Sequence, residues 1–183
     1  MIRVFKQAGT NSAVCVWVLV SVLALAVGCG GDDPPADVNG TYALSVTNGP
    51  NECMDANWTA GQTSVGQVNL VLTQQADPTR VSGEVVGSGG FVELIFRLAY
   101  GSNNFAGTVN GNALNMDLVT SGRTEMTGAC THTRTARAVA TLEKDTITGT
   151  LYHYFRTNGV PDCGYLSSCN NSQMFNGTRP PKQ

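Results

Sequence analysis

Few side chains in this sequence can do chemistry. Six cysteines and two histidines stand out among 183 residues. Four of the cysteines, Cys53, Cys130, Cys163 and Cys169, lie in the body of the chain. In an oxidising compartment such an even set predicts two disulfides. Four cysteines allow three pairings. The short loop GYLSS favours a local Cys163–Cys169 bridge, which leaves Cys53 with Cys130. His132 stands near Cys130 in CTHTR, but the second ligand pair of a zinc site is missing at zinc-like spacing. No metal or other cofactor is expected. His153 shares a strand face with Ile147, Leu151 and Phe155. Without a nucleophile motif beside it, a packed or hydrogen-bonded imidazole is expected rather than a catalytic base. The chain contains no nucleophile elbow, Walker loop, zincin motif or dinucleotide fingerprint. No residue is assigned a catalytic role, and the chain is not read as an enzyme.

The start of the chain sets the compartment. MIRVFKQAGTNS carries Arg3 and Lys6, and AVCVWVLVSVLALAVG then runs almost unbroken and apolar from Ala13 to Gly28. A basic start, an apolar core and small residues at its end make an export signal. The run is shorter than the ~20 residues that span a bilayer. Ala24-Leu25-Ala26 fits ordinary signal peptidase, which would release a soluble protein. Ala26-Val27-Gly28-Cys29 resembles the lipobox of bacterial lipoproteins, although Leu usually stands where Ala26 does. That resemblance implies a diacylglyceryl group on the Cys29 thiol, cleavage just before it, and often a palmitate-type acyl group on the new amino end. Cysteine parity favours the lipobox. With Cys15 in the signal and Cys29 as the anchor, the remainder is even; ordinary cleavage leaves Cys29 as an odd thiol. The expected partner is therefore a membrane, held through Cys29. Gly30 follows rather than Asp, which by resemblance points to the outer membrane of a bacterial cell envelope. The organisation expected is a signal peptide over 1–28, a flexible tether over 29–37, one domain over 38–180 and a tail at 181–183.

Without Arg3 and Lys6, thirteen acidic side chains face nine basic ones, a formal charge near −4. That balance argues against nucleic acid, which wants a basic face. Asn, Thr, Gly and Ser are plentiful, and helical periodicity is absent beyond the signal.

The body alternates apolar and polar residues as half-buried strands do. Val68, Leu70 and Leu72 share one face; so do Leu114, Met116 and Leu118, and Ala136, Ala138 and Ala140. FVELIFRLAY places Val92, Leu94, Phe96, Leu98 and Tyr100 together, and Asn110-Gly111 reads as a type I′ hairpin turn. Nine strands are expected, near 39–47, 67–75, 80–87, 91–100, 104–110, 112–120, 126–143, 146–157 and 173–179, with 53–59 as a possible tenth. An echo recurs in VNGT, VSGE, FAGT, ITGT and FNGT. Each is a strand with a glycine where it must bend or pass close to a neighbour.

These features predict an all-β fold, an antiparallel up-and-down β-barrel of about eight to ten strands, with a β-sandwich as the alternative. The pattern resembles the lipocalin, fatty-acid-binding and avidin group of calycin-like barrels. The G-x-W start of lipocalins is replaced by Gly40-Thr41-Tyr42. The resemblance implies a tethered barrel holding a small apolar ligand; if the alanine stripe and the bulky faces both point inward, the space for it lies near Phe96, Met116 and Ala138. A pocket of roughly 300 Å³ or more would suit one. The alternative is a filled barrel serving as a structural or interaction module of the envelope.

Overall fold

The structure, a computed structural model, describes residues 33–87, 97–119 and 124–181. The signal peptide, Cys29 and Phe96 lie outside the described residues. The strands are β1 (Gly40–Asn48), β2 (Thr63–Gln74), β3 (Arg80–Gly87), β4 (Asn104–Asn110), β5 (Ala113–Leu118), β6 (Thr124–Thr127), β7 (Cys130–Glu143), β8 (Thr146–Thr157) and β9 (Asn170–Thr178). Every pairing is antiparallel. β1 pairs with β9, and β5 pairs with β7, so the meander closes into a barrel of eight staves.

Nine strands make eight staves because β5 and β6 share one edge of β7. Ala113 to Asp117 lie opposite Thr141 to Arg137, and Thr124 to Thr127 lie opposite Thr133 to Cys130. The two pieces together make one stave. The nine strands differ from the expected nine in two places. Residues 97–100 are helical rather than the end of a strand, with Gly101 donating to the Arg97 carbonyl at 2.9 Å. The single strand expected over 126–143 folds back at Gly128-Ala129 into β6 and β7. Residues 53–59 form turns and add no strand. The β4–β5 turn is also one residue later than expected: Gly111 and Asn112 are central, and of the two only Gly111 has positive φ.

The barrel interior grades from solid to hollow. At the short-turn end Val38, Tyr42, Leu72, Val81, Val109, Leu114 and Ile147 are almost wholly buried. Tyr42 donates to the Val38 carbonyl at 3.0 Å, and the Arg179 guanidinium lies 5.5 Å above its ring while bonding Asp145 at 3.0 Å. Residues 33–36 dock here too: Ala36 N–H reaches the Gly111 carbonyl at 2.7 Å, and Gln74 Nε2 reaches the Ala36 carbonyl at 2.9 Å. The opposite end carries the long connections, including 49–62 and 158–169.

The echoed glycines face inward, opposite bulk. Gly83 lies between Leu72 and Phe105, Gly107 opposite Met116, Gly149 opposite Phe175, and Gly177 between Leu44 and Ile147. A Cβ on Gly149 would stand 2.5 Å from the Val139 carbonyl oxygen and 2.6 Å from the Ala140 methyl. One on Gly83 would meet only the ends of the Leu72 and Met116 side chains, at 3.2 Å. Rigid backbone cannot yield as a methionine can. Gly149→Ala should therefore cost about 1–3 kcal/mol by overpacking, and clearly more than Gly83→Ala. Urea denaturation of both variants checks this; equal costs would contradict the packing described.

Candidate functional site

A cavity of about 190 Å³ occupies the barrel towards its long-loop end. Its apolar walls come from Leu44, Val68, Leu70, Phe105, Met116 and Phe175, among others. Met116 and Ala138, both expected to line a cavity, do line it and lie directly opposite each other on β5 and β7. Ala136, Ala138 and Ala140 all point inward and are buried. The small-residue stripe thus leaves the space that Leu there would fill. The volume is below the 300 Å³ anticipated, since Met116 and Phe105 reach into it; it exceeds the ~150 Å³ apolar cavity known to admit benzene.

One side of this cavity is polar. Asn48, Ser64 and Gln173 line it from β1, β2 and β9. A hydrogen-bond chain starts there, and its direction is fixed by its far partner. The Thr59 backbone carbonyl can only accept, so the Asn48 amide nitrogen points to it at 3.1 Å. Asn48 Oδ1 then accepts from Gln173 Nε2 at 2.7 Å. Gln173 Oε1 therefore faces His153 Nε2 at 2.8 Å, which must carry the ring proton. His153 Nδ1 is left to accept from the Tyr100 hydroxyl at 2.6 Å.

Burial holds His153 and Tyr100, at one end of that chain, neutral. His153 is driven down to about 4 mainly by loss of solvent, with the nearby Arg134 cation acting the same way and the Gln173 bond and Asp55 opposing. Burial likewise pushes the Tyr100 hydroxyl up to about 12, the Arg134 cation opposing. The Trp58 ring packs edge-on against His153 at 5.5 Å. Arg134 is held by Asp55 at 3.2 Å and lies over the Phe155 ring at 5.2 Å. The adjoining space between Tyr100, Arg134 and His153 is about 20 Å³, too small for a substrate. Both ring nitrogens of His153 are engaged, so it is the packed, hydrogen-bonded histidine that the sequence indicated. Tyr100 was read as part of a strand face; nothing local in the sequence signals a partner fifty-three residues away.

The four cysteines gather at the long-loop end, but their pairing corrects the expected one. Cys53 bonds Cys169, and Cys130 bonds Cys163, each with Cα atoms 4.9 Å apart. Cys163 sits in the 3-10 turn Pro161–Ser167, which is fastened to the β6–β7 turn by Ala129 N–H to Asp162 at 2.9 Å. Cys169 opens towards β9, where Asn171 takes the Cys53 N–H at 2.9 Å. The loop between Cys163 and Cys169 thus presents its two thiols to different neighbours. Cys130 is spent in a disulfide and cannot join His132 at a metal. His132 packs edge-on to Phe155 at 5.5 Å, 3.6 Å from the Glu125 carboxylate. Among the described residues no three ligating side chains cluster, and no helix is long and apolar enough to cross a membrane.

No family model matches the chain, and no curated protein matches it. A solved structure, "Structure of EF1p2_mFAP2b bound to DFHBI", overlaps 78% of this chain and 93% of its own at 16% identity, with a TM-score of 0.41.

The neutral His153 predicts acid sensitivity. Its folded value is about 4 against about 6.5 in an unfolded chain. Between those values the unfolded state binds the extra proton, so stability is full above pH 6.5 and falls as pH drops towards 4. The loss should reach about 3 kcal/mol. Urea midpoints from pH 7 to pH 5 should fall in the native protein and flatten in His153→Gln. An equal slope in both would show that His153 is not buried neutral.

Proposed function

We propose that this protein is a lipid-anchored barrel of the bacterial cell envelope that binds a small, predominantly apolar molecule inside its barrel. The single observation that carries the binding role is the apolar cavity between Phe105, Met116, Ala138 and Phe175. Interiors normally pack without space for a ligand. Here the solid half shows that this chain can fill its core, yet the half beyond Met116 is left open. Two disulfides brace the loops at that end, which fits an oxidising compartment. The anchor is assigned to Cys29, at the end of the apolar run, and the outer membrane is the proposed location.

Two experiments test the two halves of this reading. Ala138→Leu should fold with little loss of stability and abolish uptake, because its added carbons occupy the cavity. In a filled core the same change would cost about 1–3 kcal/mol. A marked drop in melting temperature, with native mass spectra of both proteins free of co-purified small molecules, would leave only the structural or interaction role. For the anchor, native protein should label with palmitate and fractionate with membranes, whereas Cys29→Ser should do neither. Retained labelling in Cys29→Ser would refute the assignment.

A further inference from the structure

The polar side of the cavity carries information about what it holds. Among the described residues, no charged side chain lines the cavity. Arg134 lies in the adjoining space, committed to Asp55 at 3.2 Å. A carboxylate or ammonium buried here would be left without a counter-charge, at heavy cost. The head of the bound molecule must therefore be uncharged.

The chain of hydrogen bonds then decides between donor and acceptor. Each primary amide has two N–H groups. Gln173 spends one on Asn48, and Asn48 spends one on the Thr59 carbonyl. Each keeps a second N–H with no partner among the described residues. The amides cannot flip to present oxygen instead. Flipping Asn48 would set its Oδ1 against the Thr59 carbonyl, and flipping Gln173 would set its Oε1 against Asn48 Oδ1, two acceptors face to face. Ser64, which makes no side-chain hydrogen bond among the described residues, adds a hydroxyl on the same side. When an apolar molecule fills the cavity and excludes solvent, these half-buried N–H groups go unmet unless it carries an acceptor. The edge is thus a set of donors in want of an acceptor.

We propose that the cavity takes an apolar molecule bearing one uncharged hydrogen-bond acceptor, a ketone- or ester-like carbonyl, which the free N–H groups of Gln173 and Asn48 and the Ser64 hydroxyl receive. The proposal rests on the reading of the cavity as a ligand site. Tyr100 and His153 act behind this edge as positioning residues: they hold the Gln173 oxygen turned away from the ligand.

Three compounds of nearly one shape test it. Acetophenone carries a carbonyl, α-methylstyrene replaces that oxygen by a methylene, and benzoate replaces the methyl by a charged oxygen. Titration calorimetry of the mature protein should show acetophenone binding about two- to tenfold tighter than α-methylstyrene, the effect of one net hydrogen bond. Benzoate should bind weakest. In Ser64→Ala/Gln173→Met the preference for acetophenone over α-methylstyrene should shrink towards unity. Should that variant fail to fold, the ranking in native protein still decides. Equal or tighter binding of α-methylstyrene or benzoate by native protein overturns the proposal, as does an undiminished preference in the folded variant. Failure of all three to bind would strike at the ligand-site reading itself, and at this proposal with it.

Discussion

Closing eight strands into a barrel forces inward side chains from neighbouring staves into each other's space, and glycine opposite bulk is how this chain resolves it. Phe175 passes over Gly149, and Leu44 and Ile147 flank Gly177. Gly107 leaves its place to Met116, and a Cβ there would strike the Asn115 backbone. At Gly40 the room goes to Arg179, whose side chain seals the end over Tyr42. Tyr42, Leu72, Val81 and Ile147 fill the sealed end, and the bulk opposite the glycines, Leu44, Phe105, Met116 and Phe175, walls the space above it. Where the row runs Met116, Ala138, Leu151, Gln173, the alanine has no bulky side chain crossing over it, and the cavity begins. Shape and hollow come from one distribution of small and large residues.

The polar chain from Thr59 to Tyr100 depends on that barrel in turn. It crosses a loop, β1, β9, β8 and a short helix, so it orders the long-loop end only once the staves are in register. Low dielectric strengthens each bond and makes any break costly. The disulfides act on the same loops from outside, Cys53–Cys169 tying the 49–62 loop to the approach of β9. Residues at the cavity's polar side are thereby held by covalent bonds, by the ladder and by each other.

Much of this was legible in the sequence, because strand alternation reports burial directly. Leu114, Met116 and Leu118, and the alanines of β7, lie inward as their period of two requires. The Gly-Thr echo marked where strands pass close. What failed was what depends on distant partners. FVELIFRLAY has the period of a strand, but helix at 97–100 turns Leu98 outward, more than half exposed, and sends Tyr100 inward to His153. Local spacing favoured Cys163 with Cys169, yet Asp162 and Asn171 fasten those neighbourhoods to different loops. Polar residues such as Asn48 and Gln173 gave no signal, since Asn and Gln are common on exposed strands and their joint orientation is set only by the closed barrel.

The barrel is hollow above its sealed end, and the walls of that space are mainly apolar. A crystal of the mature protein equilibrated under xenon pressure tests it most directly, because xenon enters apolar cavities of this size and reports its position by strong scattering. One xenon site is expected among Phe105, Met116, Ala138 and Leu151, away from the Tyr100–His153 cluster. Density showing that space filled by side chains, with no xenon bound, would contradict it.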